Sequence, residues 1–212
     1  AELAGLGLPL LVSTGMATLD EAEDAAGVIR AGGDPPTAWL HCVSAYPAPP
    51  EASNLRAIES LRLTVGGPVG MSDHADGDAV TLAAVPLGAA LIEKHLTLSR
   101  DLPGPDHAAS LEPAPFGDMV RRIREVESAL GDGVKRPAPC ETDTIAAARR
   151  SLVAARDLPA GHVLAPSDLA CKRPGTGLAP AMRGPLAGRA LARSVSADEM
   201  LSLDHLRPRS EG

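Results

Sequence analysis

Two histidines, each at the end of a short apolar segment, are the residues of this chain best suited to chemistry. His74 ends the segment that begins at Val69, and His95 ends the segment that begins at Ala89. Residues 78–87 between them have the length and the apolar content of a crossover helix, which predicts two parallel strands with both histidines at their carboxyl ends. Parallel α/β folds place their chemistry at that end of the sheet.

A pair of imidazoles from neighbouring strands can hold a divalent cation, with water or substrate oxygens completing an open, catalytic type of site. Glu93 shares a strand face with His95 and is a candidate partner of that site. The alternatives are structural. His74 would then cap a turn through Asp73, His95 would be a polar strand end, and Glu93 would pair with a nearby lysine.

Serines lie at the ends of three successive predicted strands, at Ser13, Ser44 and Ser72. Hydroxyl groups converging there could together bind a phosphate, although serines are common at strand ends. Tyr46 lies in the same proline-rich loop as Ser44.

Two further candidates lie in loops. Residues 100–107 form a stiff, proline-containing loop after the last strand, which would present Asp106 to the site; the alternative is an ordinary solvated loop. Arg173 lies in a glycine- and proline-rich loop and is suited to binding a carboxylate or a hydroxyl; the alternative is a surface arginine.

Repeated strand and helix patterns predict an α/β fold. Four apolar strands alternate with helical segments, one of which begins with a Thr18–Glu21 capping box, and such runs are typical of a parallel sheet buried on both faces. The four units describe the C-terminal half of a TIM-type β/α barrel. A flavodoxin-like sheet is the alternative, but it would normally have a fifth strand.

A change in composition divides the chain. We assign residues 1–131 to the half barrel, and residues 132–146, which lack periodicity, to a linker. Residues 147–212 have short alternating segments and predict a small, mainly β domain.

Composition narrows the function classes. A net charge of −7 and 1% aromatic residues argue against a nucleic-acid partner. No apolar run is long enough to cross a bilayer, so we expect no membrane partner and a cytoplasmic location. Cys42, Cys140 and Cys171 have unrelated spacings, which favours reduced thiols over disulfides or a cysteine metal site.

Five ordered motifs together resemble the sialic acid synthase (N-acetylneuraminate synthase) family. They are Ser13-Thr14-Gly15-Met16, residues 41–47 (HCVSAYP), Gly70-Met71-Ser72-Asp73-His74, Glu93-Lys94-His95 and Pro103-Gly104-Pro105-Asp106-His107. The tail is similar to that family's antifreeze-like SAF domain, which residues 150–154 enter and whose recognition loop would be residues 172–175.

The resemblance implies a condensation of phosphoenolpyruvate with an open-chain N-acetylated amino sugar, giving a nine-carbon 2-keto acid and phosphate. His74 and His95 would bind Mn²⁺ or Mg²⁺ and act in catalysis together with Glu93 and Asp106. Phosphoenolpyruvate would contact Ser13, Ser44 and Ser72. The sugar would contact Tyr46, Asp106 and, from the other subunit of a domain-swapped homodimer, Arg173.

The chain begins inside an apparent helix at Ala1, which suggests that further sequence lies upstream. In the family, the first half of the barrel supplies a lysine for phosphoenolpyruvate and several groups for the sugar, so we expect little or no turnover from this chain alone. The alternatives are a non-catalytic remnant that acts as a SAF-type carbohydrate-binding module, and a phosphate-binding barrel enzyme with unrelated chemistry. N-acetylmannosamine and a bacterial dideoxy-diamino relative both remain open as the sugar.

Overall fold

The structure, a computed structural model, describes residues 1–208. It forms two compact units, the first of residues 1–134 and the second beginning at Lys135. Within the described residues, no helix has the length and apolar character needed to cross a membrane.

The first unit alternates strands with helices, which confirms the predicted α/β fold. Its parallel strands pair in chain order and form a four-stranded sheet within residues 1–208. The strands are β1 (Leu10–Ser13), β2 (Thr37–Cys42), β3 (Val69–Asp73) and β4 (Ile92–Lys94). The helices are α1 (Leu19–Ala31), α2 (Ala57–Val65), α3 (Ala79–Ala84) and α4 (Pro113–Leu130).

Helix α1 begins at the predicted capping box. Glu21 N–H donates to Thr18 Oγ1 at 3.3 Å, and Thr18 N–H donates to Glu21 Oε2 at 2.7 Å. The backbone hydrogen bond from Thr18 is the main reason why the pKa of Glu21 lies below its ordinary value. Two donors that the helix itself leaves without partners are thereby satisfied.

The two faces of the sheet differ because strand side chains alternate. One face, which we call the helix face, packs Val12, Trp39, Met71 and Ile92 against α1, α2 and α3. The opposite face, which we call the site face, carries Ser13, Cys42, Ser72 and Glu93 at the carboxyl ends of the strands. The site face is open to solvent at β1, where Leu11 is 66% exposed.

Some predicted bounds were wrong for local reasons. Helix α2 was expected over residues 54–61 but begins at Ala57, because Asn54 has a positive φ of 39° that no α-helix contains. Strand β4 was expected over residues 89–95 but has only three residues, and the predicted crossover helix continues from α3 as a 3₁₀ turn at Val85–Leu87.

The second unit is small and surrounds a leucine-rich core that includes Leu152, Leu191 and Leu201. Strands β5 (Ser151–Ala154) and β6 (Leu169–Lys172) pair antiparallel, and helices α5 (Thr142–Ala148) and α6 (Arg183–Leu186) flank them in sequence. Residues 189–195 alternate in the way that predicts one of the short strands of this domain, but in the structure they form single bridges instead. Helix α5 lies largely within the stretch that we assigned to a linker.

A buried carboxylate fixes one turn of the second unit. Asp168, which is 2% exposed, accepts hydrogen bonds from Ala165 N–H, His162 Nε2 and Arg156 at 2.7–2.9 Å. These contacts, led by the backbone N–H of Ala165, lower the pKa of Asp168 to about 2. The position of His162 in the small domain predicts a structural rather than a catalytic histidine, and its contact with Asp168 is of that kind.

Candidate functional site

The two histidines lie side by side at the carboxyl rim of the parallel sheet. His74 follows β3 and His95 follows β4, and their ring centroids are 5.1 Å apart with the ring planes at 72°. His74 is buried, whereas the His95 side chain is 34% exposed. One ring is thus held firmly while the other faces solvent.

The hydrogen bond of His74 decides which ring nitrogen is free. His74 Nδ1 lies 2.9 Å from the carbonyl oxygen of Val43, with the Cys42 sulfur 3.8 Å away. Because a carbonyl only accepts, Nδ1 must carry the proton, and Nε2 of the neutral ring is left with a lone pair. A free Nε2 whose partner nitrogen is fixed by a carbonyl is the usual state of a metal-binding histidine, so this residue fits a divalent cation.

Tyr46 packs against both imidazoles. Its ring centroid lies 4.2 Å from that of His74 and 5.6 Å from that of His95. The tyrosine is 50% exposed. The structure therefore brings these three predicted site residues into one aromatic cluster with an open side.

Asp106 approaches the same cluster from the loop after β4. Asp106 Oδ2 lies 4.0 Å from His95 Nδ1, and both residues line a cavity of about 410 Å³ that also includes His107. Arg100 secures the loop by donating to the carbonyl oxygen of Ala108 and to Asp76. The loop therefore brings Asp106 next to His95, and a role for this carboxylate at the site stays a prediction.

Ser72 and Glu93 are joined directly on the site face. Ser72 Oγ donates to Glu93 Oε1 at 2.6 Å, and Ser72 is 1% exposed. Since a hydroxyl has one proton, this hydrogen bond leaves Ser72 only acceptor capacity for a ligand. Before Ser72 can donate to a phosphate, the hydrogen bond to Glu93 must break.

The other two serines lie at the same edge of the sheet and are exposed. Ser13 ends β1, and Ser44 follows β2. The turn after β1 approaches Ser44 so closely that a Cβ on Gly15 would collide with Ser44 Oγ. Glycine at this position therefore lets the two loops meet.

Arg173 belongs to the second unit. Its Nε donates to the carbonyl oxygen of Ala148 at the end of α5, at 3.1 Å, and the side chain is exposed. The next turn of the loop is held in the same way, because Gly175 N–H donates to the carbonyl oxygen of Ala146. The C-terminus of α5 thus supports the loop that carries Arg173.

A buried ion pair lies behind the histidines and was not predicted from the sequence. Lys94 Nζ lies 3.0 Å from Asp73 Oδ2, and both side chains are 1% exposed. The signal was present in the sequence, because Asp73 and Lys94 each precede a rim histidine and must point to the opposite face of the sheet. The strand register pairs them directly.

His107 was also missed as a member of the site. Its Nδ1 lies 2.7 Å from Thr97 Oγ1, and Thr97 is buried. In the part of the chain that the structure describes, no group of three or more His, Cys, Asp and Glu side chains is placed to hold a metal ion. A cation at the rim would therefore rely on two imidazoles and on non-protein oxygens.

Comparison with known proteins agrees with this architecture of a half barrel followed by a small domain. Residues 1–135 match the NeuB family, and residues 149–207 match the SAF domain. The N,N'-diacetyllegionaminic acid synthase of Campylobacter jejuni is 38% identical over 94% of this chain and 60% of that protein. The N-acetylneuraminate-9-phosphate synthase of Mus musculus is 40% identical over 74% of this chain and 44% of that protein.

A solved structure supports the same assignment. The N-acetylneuraminic acid (sialic acid) synthetase from Leptospira borgpetersenii, crystallised with citrate, is 36% identical and has a TM-score of 0.61, covering 68% of this chain and 50% of that one. The fold is therefore part of a β/α barrel followed by a SAF domain, as predicted. The chain belongs to the NeuB family, which confirms the resemblance to sialic acid synthases. It spans about three fifths of the length of the curated relatives it matches first.

Proposed function

We propose that this chain belongs to a synthase that condenses phosphoenolpyruvate with an N-acetylated amino sugar to a nine-carbon 2-keto acid, and that it supplies the metal-binding histidines and part of the phosphoenolpyruvate site. The single observation that carries the proposal is the adjacent pair of rim imidazoles, His74 and His95, in a chain of the NeuB family. The names of its relatives, which are legionaminic acid and neuraminate 9-phosphate synthases, support the substrate class.

In this proposal His74 and His95 hold Mn²⁺ or Mg²⁺. Such a cation, when bound, polarises an aldehyde oxygen and lowers the pKa of a water molecule. Asp106 lies beside His95 and Glu93 beside Ser72, so these two carboxylates are the catalytic groups that can accept or return protons at the rim.

Both substrates would contact the half barrel, and the sugar would also contact the SAF domain of another subunit. Ser13, Ser44 and Ser72 would contact phosphoenolpyruvate at the strand ends. Tyr46 and Asp106 would contact the sugar, and Arg173 would reach it from the SAF domain of the other subunit in a domain-swapped homodimer. The cytoplasmic location and the lack of a nucleic-acid partner also stay predictions.

Titration of Mn²⁺ tests the metal assignment. We expect the His74→Ala/His95→Ala variant to lose most of the binding that the 212-residue chain shows, measured by electron paramagnetic resonance of free Mn²⁺. His41→Gln is a matched control, because His41 Nε2 bonds to the carbonyl oxygen of Ser53 and lies on the helix face. Equal binding by the double variant and the wild-type chain would remove the proposal.

Turnover tests the contribution of this chain alone. We expect little or no phosphate release from phosphoenolpyruvate in the presence of Mn²⁺ and N-acetylmannosamine, because the site face is open to solvent at β1, where Leu11 is exposed. Sustained steady-state release by this polypeptide would contradict that expectation and would place a complete site on it.

A further inference from the structure

We propose that the buried Asp73–Lys94 ion pair is a positioning device that sets the spacing of the His74 and His95 rings. The inference rests on the metal role proposed above and assigns residues to that site that do not themselves contact a ligand. It follows from the contacts of the pair, from its burial and from its place in the strand register.

The contacts of the ion pair involve the residues on both sides of His74 in the sequence. Asp73 Oδ1 accepts a hydrogen bond from Ala75 N–H at 2.8 Å, and Lys94 Nζ donates to the carbonyl oxygen of Ala75. The residues before and after His74 are therefore both held by one charged network. His95 follows Lys94 directly, so the same ammonium group also fixes the point from which the second ring projects.

The network is anchored to the helix face. Thr81 Oγ1 of α3 donates to Asp73 Oδ2 at 2.7 Å, and Thr81 is fully buried. Because Asp73 and Lys94 are paired in the register of β3 and β4, the ion pair crosses the two strands one residue before each histidine. Strands, helix and turn are thus joined at one point behind the rim.

Stability gives only a weak reason for such a pair. Desolvating two charges offsets much of their attraction, and apolar replacements of buried ion pairs are often neutral or stabilising. A pair of charges does, however, demand one geometry, whereas apolar side chains accept several packings. We therefore infer that the pair restricts the relative position of the two imidazoles, which a two-histidine site needs more than a site with many ligands.

The test removes both charges together. In the 212-residue chain, the double variant Asp73→Asn/Lys94→Met keeps the net charge and leaves no buried ion unpaired. We expect Mn²⁺ affinity to fall roughly ten-fold, as for other residues that support metal ligands, while the thermal unfolding midpoint changes little. The matched control is Arg121→Met/Glu125→Gln, which removes an exposed ion pair on α4 and should bind Mn²⁺ like the wild-type chain.

A metal-free measurement separates positioning from stability. Nitrogen-15 spectra of the histidine rings should show one tautomer for His74 in the wild-type chain, because its Nδ1 is bonded to Val43. In the double variant we expect mixed tautomers or broadened ring resonances. Wild-type Mn²⁺ affinity in the double variant overturns the inference whatever its ring spectra show, and wild-type ring spectra together with reduced affinity would overturn it as well, because the rings would not have moved.

Two further variants keep the result decisive. If the double variant does not fold, Thr81→Val, which removes one hydrogen bond to Asp73, should lower affinity about two-fold; wild-type affinity would overturn the inference. If His74→Ala/His95→Ala binds Mn²⁺ as well as the wild-type chain, the metal site itself is wrong. If that variant loses binding but Asp73→Asn/Lys94→Met does not, only the positioning role fails.

Discussion

The Ser72 hydroxyl donates its single proton to Glu93 across the β3–β4 pair, at 2.6 Å. The carboxylate that holds Ser72 therefore also places a negative charge where an anionic substrate would bind. Replacing Glu93 by Gln removes that charge and weakens the hold on the hydroxyl. We expect Glu93→Gln to bind phosphoenolpyruvate more tightly, by roughly 1 kcal/mol, as measured by calorimetry with Mn²⁺ present.

Two variants check this expectation. Glu59→Gln changes the net charge of the chain by the same amount as Glu93→Gln. Because Glu59 lies on α2, which packs against the helix face, this variant should leave the affinity for phosphoenolpyruvate unchanged. Ser72→Ala should weaken binding, because the hydroxyl is lost altogether. Weaker binding in Glu93→Gln would show that the carboxylate assists the ligand rather than opposing it.

The elements that could be predicted were those governed by local sequence. The stripe of apolar residues from Phe116 to Leu130 predicts a helix over roughly residues 113–130, and α4 has these bounds, Pro113–Leu130. The Thr18 capping box begins α1 as expected. Strand alternation and parallel pairing were enough to bring His74 and His95 to one rim. These features depend on periodicity and on hydrogen bonds within a few residues.

The features that could not be predicted depend on contacts between distant parts of the chain. The Asp73–Lys94 pair joins residues 21 positions apart. The tautomer of His74 depends on the carbonyl group of Val43, which lies in the loop after the neighbouring strand β2. In the second unit, segment 189–195 alternates like a strand, but its residues pair singly with three different segments. Composition cannot distinguish these arrangements from their alternatives.

Tyr46 is expected to support the imidazoles through its ring rather than its hydroxyl. Tyr46→Phe keeps the ring that packs at 4.2 Å and 5.6 Å from His74 and His95, and should leave Mn²⁺ affinity near that of the wild-type chain. Tyr46→Ala removes about 1 kcal/mol of aromatic packing and should lower the affinity several-fold. The same resonance titration of free Mn²⁺ measures both. A loss in Tyr46→Phe as large as that in Tyr46→Ala would assign the effect to the hydroxyl.

Gly15 is expected to matter for binding more than for stability. A methyl group there would collide with Ser44 Oγ, and a serine side chain can rotate away at small cost. Gly15→Ala should therefore change the unfolding midpoint little but weaken phosphoenolpyruvate binding. Gly27→Ala is the control, because a methyl group there meets open space within α1, and it should stabilise the first unit by about 0.5–1 kcal/mol without affecting binding. Unchanged binding in Gly15→Ala would exclude Ser44 from the ligand site.

The acid stability of the second unit should depend on Asp168. Its pKa is about 2 in the folded chain, below the ordinary value of 3.8, so folding favours the ionised form. The resulting stabilisation is complete above about pH 4 and is lost as the pH falls from there towards 2. Asp168→Asn should remove this stabilisation, lowering the stability of the second unit at neutral pH by about 2 kcal/mol and flattening its acid dependence, since a buried charged hydrogen-bond network is broken.

The intensity of the Leu152 amide resonance as a function of pH and urea would measure the stability of the second unit. Asp198→Asn, at an exposed aspartate paired with Lys172, should retain the acid dependence of the wild-type chain; if it flattens the curve as much as Asp168→Asn does, the protonation that destabilises the unit is not that of Asp168.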